Sequence, residues 1–194
     1  MNHHEVDDAT LMSRVRDGDE DAFRLLIERY QRIVINMIYR SIGDSWEAED
    51  LAQRVFLQVF RSAPRYQATA KFTTWLFTIT HNTILNEHRR RARHRAESLE
   101  AITQPTGPDD IAHELPDTRA EDPSAAAAEN ELKDRIQAAI QNLPEAQRTA
   151  VLLCRFEGLA YEEIAKVIGC SVSATKSLLH RARATLKEQL RGHY

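Results

Sequence analysis

The chain has 194 residues and a formal net charge of -3, with six glycines, six prolines and two cysteines; that length allows one medium domain or two small ones, each with a modest core. Cys154 and Cys170 sit among apolar helical residues and give little basis for a disulfide or metal framework, and no apolar run nears the roughly 18 residues of a membrane span. The start, 1–8, is polar and acidic, unlike a secretory signal, so the expected location is cytoplasmic.

The charge is unevenly spread. Ala96 to Ser124 holds eight carboxylates against one basic residue, Arg119, so removing that stretch leaves a chain near +4. Such a remainder suits a polyanion partner better than the total suggests.

Sparse glycine and proline and a helical period throughout predict an all-α fold. Leu11, Met12 and Val15 begin a short helix that Asp17-Gly18 ends, and Asp19 can cap the next. Phe23, Leu26, Ile27, Tyr30, Ile33, Val34, Met37 and Ile38 then keep one broad apolar stripe up to Ile42-Gly43. A third helix, capped by Asp44 or Ser45, carries Glu47 and Glu49 in its first turn, runs to about Ser62 and is stopped by Pro64. After a polar loop from Ala63 to Lys71, Thr73 can cap a fourth helix that reaches into an arginine-rich end at Arg95.

Ala96 to about Ser124 has four of the six prolines and little apolar periodicity. It reads as a flexible acidic linker, with Ala125 to Ala128 opening the next helix. Leu132, Ile136, Ala139, Ile140 and Leu143 mark that helix, and Pro144 suits the first turn of another, which carries Val151, Leu152 and Phe156 and ends at Gly158.

The last segments form the most specific local pattern. Tyr161 to Ile168 is a short helix, Gly169 supplies a left-handed stop, and Ser171 caps a helix starting at Val172, which is the order of a helix-turn-helix. Val172, Thr175, Leu179, Ala182 and Leu186 share one arc of that second helix, and Ser173, Ser177, His180, Arg181 and Ala184 share the other. In such motifs the second helix enters the major groove, which makes Ser177, His180 and Arg181 candidates for base edges, with Ser173 on the same arc. Lys176, Arg183 and Arg148 are candidates for phosphates.

Upstream, Lys71-Phe72-Thr73-Thr74-Trp75-Leu76-Phe77 interleaves a cation, hydroxyls and aromatics. This mixture suits unstacked bases, and equally suits a core, which is the favoured reading for Phe72 and Phe77. The third helix presents Glu47, Glu49, Asp50, Gln53, Arg54 and Gln58 beside an apolar face of Leu51, Val55 and Val59, and by itself implies no partner.

Trp46-Glu47-Ala48-Glu49-Asp50-Leu51-Ala52-Gln53 with Phe56-Leu57, then Lys71 to Leu76 with Asn82, then Ser171-Val172, Lys176-Ser177 and Arg181-Ala182-Arg183 together resemble the bacterial extracytoplasmic-function sigma factors. The resemblance implies two small helical domains joined by a flexible acidic linker: a sigma-two domain over 8–95, the linker over 96–128 and a sigma-four domain over 129–191. It implies that Glu49, Asp50, Leu51, Gln53, Arg54 and Phe56 dock on the clamp helices of the largest subunit of core RNA polymerase, with the flap as a further contact. It assigns Arg65, Tyr66, Lys71, Thr74, Trp75, Asn82, Asn86, Arg89 and Arg90 to minus-ten DNA, where a base is extruded and trapped. The second module would read the minus-thirty-five element through Arg148, Ser173, Lys176, Ser177, His180, Arg181 and Arg183. An anti-sigma factor is a further implied partner. Three positions depart from the family's frequent residues: Arg54 and Asn86 stand where acids are frequent, and Leu178 where arginine is frequent.

Two rival classes are weighed against this. An enzyme would need a phosphate-binding glycine loop, a His-Glu-x-x-His or a nucleophile motif. None is present, and the eight histidines show no metal spacing beyond His3-His4, so neither cofactor nor metal is expected. A stand-alone regulator would share the helix-turn-helix but would have no use for a melting loop and a polymerase-docking helix.

Overall fold

The computed structural model describes residues 6–101 and 123–191, and among them the chain forms eight α-helices and no strand. α1 (Asp8–Arg16) starts where the Asp7 carboxylate accepts the Thr10 amide. α2 (Glu20–Ile42) starts on Asp19, which accepts the Ala22 amide, and ends at Gly43 in the left-handed region, φ +83°. α3 (Ser45–Ser62) is capped by Asp44 through the Glu47 amide. Each cap satisfies a donor that the first helical turn leaves unpaired.

The first module's core follows from the stripes. Leu26, Tyr30, Val34, Met37 and Ile38 of α2 meet Leu51, Ala52, Val55, Phe56 and Val59 of α3, closed by Leu11, Met12 and Val15 of α1. A side chain of this size contributes roughly 1.5–3 kcal/mol when fully buried. A single 3-10 turn, Ala63–Arg65, follows α3.

α4 (Phe72–Ala101) begins one residue before the expected cap: the Thr74 and Trp75 amides bond the Lys71 carbonyl, so Thr73 lies inside the first turn. The helix also continues past Arg95, and α5 (Pro123–Gln141) begins before Ser124, so helices enter the stretch read as linker from both sides. The remainder of that stretch, 102–122, lies outside the described residues, as do His3 and His4.

α5, α6 (Glu145–Arg155), α7 (Tyr161–Ile168) and α8 (Val172–Gln189) form the second module. Its core joins Ala139, Ile140 and Leu143 to Leu152, Leu153, Ile164, Leu179 and Ala182. Leu132 and Ile136, expected on the same inward stripe, are exposed, because only the C-terminal part of α5 is covered by the other helices. Phe156 is exposed as well, with the Arg40 guanidinium 4.1 Å above its ring.

The modules touch. α4 packs on α7, and α2 packs on α5 and α6. Gly43 is where the approach is tightest: a Cβ there would stand 2.3 Å from the Gln141 side-chain nitrogen, besides the strain of its positive φ.

Candidate nucleic-acid interface

The helix-turn-helix forms as its residues dictate. Gly169 takes φ +75° after α7, Ser171 accepts the Ala174 amide, and Thr175, Leu179 and Ala182 are buried on the inner arc of α8. Ser173, Lys176, Ser177, His180, Arg181 and Arg183 are all exposed. Short internal bonds steady this face: Ser177 Oγ donates to the Ser173 carbonyl at 3.1 Å and Arg181 Nε to the Ser177 carbonyl at 3.4 Å. Arg183 hydrogen-bonds Tyr161, which raises its already high pKa. Leu178 is half-buried against the core and lies at the edge of the reading face.

Arg148 corrects the sequence reading. It is 9% exposed and lies between the modules, where no phosphate can reach it in this arrangement. One terminal nitrogen, Nη1, donates to the Ser41 carbonyl of α2 at 2.8 Å and stands 3.0 Å from His88 Nε2 of α4. The other, Nη2, donates to the Gln141 and Leu143 carbonyls at 2.6 and 2.9 Å. These carbonyls lie at helix C-termini, where the backbone lacks intrahelical donors and the dipole favours a cation.

In the first module the aromatics gather around one cluster. Tyr66 stands 5.0 Å from Trp75 and 6.4 Å from Phe72, and Phe72 is 6.0 Å from Trp75. Phe72 and Phe77 are buried, as favoured; Thr74, expected at minus-ten DNA, is 4% exposed and packs in the core with them, because it faces inward from the first turn of α4, and Trp75 is half-buried. The buried Tyr66 hydroxyl has no hydrogen-bond partner, and burial together with Asp8 and Asp7 raises its pKa. Arg65 and Lys71 are exposed, and Lys71 Nζ pairs with Glu163 of α7 at 2.9 Å.

Asn82, Asn86 and Arg89 share an exposed face of α4, at i, i+4 and i+7. Asn82 and Asn86 line a groove of about 500 Å³ between α3 and α4, with Arg54, Leu57, Gln58 and Arg61 on the opposite wall. Arg90 is half-exposed but held: Glu87, 3% exposed, accepts from its Nε and Nη2 at 2.7 Å each, and Glu47 from Nη2 at 3.2 Å. Arg91 pairs with the same two carboxylates.

α3 divides sharply. Glu49, Asp50, Gln53 and Arg54 are exposed, with Asp50 and Arg54 paired at 2.7 Å. Leu51 and Phe56 are 2% and 7% exposed, so as parts of the core they cannot belong to a docking surface. The exposed apolar residues of α3 are others: Trp46 at 78%, Leu57 at 53% and Phe60 at 47% exposure. Large apolar side chains off the inward stripe were the available signal.

Among the described residues there is no group of three or more His, Cys, Asp or Glu able to hold a metal ion, and no helix long and apolar enough to cross a membrane.

Residues 26–94 match the family described as Sigma-70 region 2, and residues 133–186 match Sigma-70, region 4. The RNA polymerase sigma-H factor of Pseudomonas aeruginosa is 36% identical over 94% of this chain and 93% of its own length. The ECF RNA polymerase sigma-E factor of Haemophilus influenzae is 31% identical over 96% of each. In structure the chain is similar to the sigma factor RpoE of Bartonella quintana solved in complex with the anti-sigma factor NepR, with a TM-score of 0.68 over 89% of this chain and 98% of that one, at 22% identity. With both regions matched in order and relatives aligned along almost the whole length, the chain belongs to the extracytoplasmic-function sigma factors, which bind core RNA polymerase and promoter DNA to direct promoter-specific initiation.

Proposed function

We propose that the three outward faces divide the work of initiation. The exposed face of α3, with Glu49, Asp50, Gln53 and Arg54 flanked by Trp46, Leu57 and Phe60, docks on the clamp helices of the polymerase largest subunit, and the second module meets the flap. Arg65, Lys71 and half-buried Trp75 form the melting end, with Trp75 stacking on an extruded base above the buried Tyr66 hydroxyl; buried Thr74 belongs to the core. Asn82, Asn86, Arg89 and Arg90 follow the non-template strand. Ser173, Ser177, His180 and Arg181 read minus-thirty-five base edges, while Lys176 and Arg183 hold phosphates.

The observation that carries this reading is the buried, unpartnered Tyr66 hydroxyl beside half-buried Trp75. A buried polar group without a partner costs about 1–3 kcal/mol, and an incoming base offers both a partner and a face to stack on. The chain itself performs no catalysis, works in the cytoplasm beside the polymerase, and is held by an anti-sigma partner when idle; the acidic stretch over 96–128 tethers the modules.

The test is reconstitution. Purified chain added to core polymerase gives a promoter-specific transcript and permanganate-reactive thymines at the minus-ten element, while the chain alone binds the duplex weakly. Asp50→Arg keeps the fold and lowers core affinity by at least tenfold. Tight, specific duplex binding without core enzyme, and no added transcript with it, overturns the proposal in favour of an independent regulator.

A further inference from the structure

The seam between the modules is built from polar groups that have to find each other across two helix ends. The last turn of α2 leaves carbonyls without helical donors. Gln137 Nε2 donates to that of Arg40 at 3.2 Å and Arg148 to that of Ser41 at 2.8 Å, while the Tyr39 carbonyl, which already accepts the Gly43 amide at 2.8 Å, takes Gln137 Nε2 as a second donor at 3.3 Å. Thr149 Oγ1 lies 3.2 Å from His81 Nδ1, with both residues buried. Lys71 and Glu163 close the far end of α4.

One contact in this seam has a single chemical solution. A guanidinium only donates, so at 3.0 Å from Arg148 Nη1 the Nε2 of His88 has to accept. That nitrogen therefore carries a lone pair, and the ring is neutral with its proton on Nδ1. A protonated His88 would lose the hydrogen bond and set two cations side by side. His81 differs in its bond, because a hydroxyl can accept as well as donate and Thr149 would stay its partner; burial nonetheless lowers the His81 pKa, so its charging adds to the cost of the closed form in acid without breaking a contact between the modules.

The charged groups around His88 set the balance. From α6 come Arg148, which opposes its protonation, and Glu145, which acts on Arg148, faces Arg89 of α4 and has its own pKa raised by burial. From its own helix Glu87 favours protonation, but that carboxylate is engaged by Arg90 and Arg91. α3 contributes Glu47, tied to the same two arginines. α2 and α5 present the Ser41 and Gln141 carbonyls, both occupied by Arg148, while Arg40 is turned onto Phe156. Glu163 of α7 is bound to Lys71, at the other end of α4.

We propose that this seam is a proton-operated clasp, in which neutral His88 accepts from Arg148 and holds the two modules together, and protonation of His88 releases them. Burial and Arg148 hold the His88 pKa below its ordinary value in the closed form. A depressed histidine pKa stabilises the closed form fully above the open-state value of about 6.5 and loses that contribution as pH falls through the closed-state value. Acid therefore opens the chain. The clasp stands apart from the assignment of DNA contacts; only its consequence, that a fall in pH readies the chain for promoter engagement, rests on that assignment.

Small-angle scattering on the full chain between pH 7.5 and 5.5, with circular dichroism on the same samples, tests it. The radius of gyration should rise by roughly 3 Å or more on acidification, as for two bodies moving apart, with helicity retained. His88→Gln, which can still accept through its amide oxygen and cannot titrate, should cut that rise to less than half. His88→Lys, a cation at every pH used, should be expanded already at pH 7.5. The proposal is overturned by a wild-type radius that does not change, by expansion only together with loss of helicity, by a His88→Gln chain that opens like the wild type, or by a His88→Lys chain as compact as the wild type at pH 7.5. Because scattering reads the conformation directly, these outcomes are independent of whether the chain supports transcription.

Discussion

In the proposed function Trp75 carries two roles on one ring. Its contacts with Tyr66 and Phe72 belong to the core of the first module, and its half-buried position leaves an edge beside the unpartnered Tyr66 hydroxyl. Tilted and edge-on aromatic pairs add about 0.5–1.5 kcal/mol beyond the area they bury, and a stacked base is worth about 1–3 kcal/mol. Trp75→Leu separates the two, since leucine keeps apolar volume and lacks a stacking face. The expected outcome is a stability loss of about 1 kcal/mol in denaturant unfolding, unchanged affinity for core polymerase, and open-complex formation reduced about tenfold. Equal loss of core affinity and open complex, following a large loss of stability, would mean that Trp75 only packs. Arg90 shows a different residue-level constraint. Glu87 and Glu47 offset its charge and that of Arg91, so under the proposed function these two arginines would bring a strand little net attraction and exposed Arg89 would be the more effective cation on that face.

Among the elements, α2, α3 and α8 were legible because everything that defines them is local. Each has an aspartate or serine cap and a stripe at the helical period, and the stops lie in the adjoining residues, Gly43 after α2 and Pro64 after α3. The same locality makes the turn of the helix-turn-helix testable. Gly169 has φ +75°, yet a Cβ added there would meet nothing within 4 Å, so Gly169→Ala costs only the backbone term, about 1–2 kcal/mol. Thermal unfolding of the second module should shift down by roughly 5 °C, with the fold retained; an unchanged midpoint would show that the turn relaxes out of the left-handed region. What was not legible came from distance. Arg148 sits among the polar residues Glu145, Gln147 and Thr149 that open α6 and reads as a surface cation, because its partners Ser41 and His88 come from helices far away in the chain. Leu51 and Phe56 were carried into the docking set by a motif, although their own inward spacing with Val55 and Val59 places them in the core. The extensions of α4 and α5 are not legible because the acidic, proline-containing composition between them hides short helical stretches at its two edges.

For the whole molecule the decisive quantity is span. Asn82, Asn86 and Arg89 of α4 and Ser177, His180 and Arg181 of α8 remain open to solvent while the modules are in contact, so closure does not cover these proposed DNA-binding residues, although it engages Lys71 with Glu163. It holds them too near each other. Promoter elements centred about 25 base pairs apart are separated by about 85 Å along the duplex at 3.4 Å per base pair, whereas the longest helix here, α4, is about 45 Å from end to end at 1.5 Å per residue. Simultaneous engagement therefore requires the bonds of Arg148 and Gln137 to α2 to break, and the polymerase and promoter contacts together have to exceed what the seam contributes. Fluorophores at exposed Arg32 on α2 and Glu188 on α8, in a background with Cys154 and Cys170 replaced by serine, report this directly. Energy transfer should be high in the free chain at pH 7.5 and fall to near background once core polymerase and a promoter fragment carrying both elements are bound. A fragment lacking the minus-thirty-five element should lower the affinity and leave the low transfer unchanged if docking on polymerase is what parts the modules. Transfer that falls only when both elements are present would instead make the DNA the agent of opening, and transfer that stays high in the full complex would mean that the seam persists and only one module reaches the promoter.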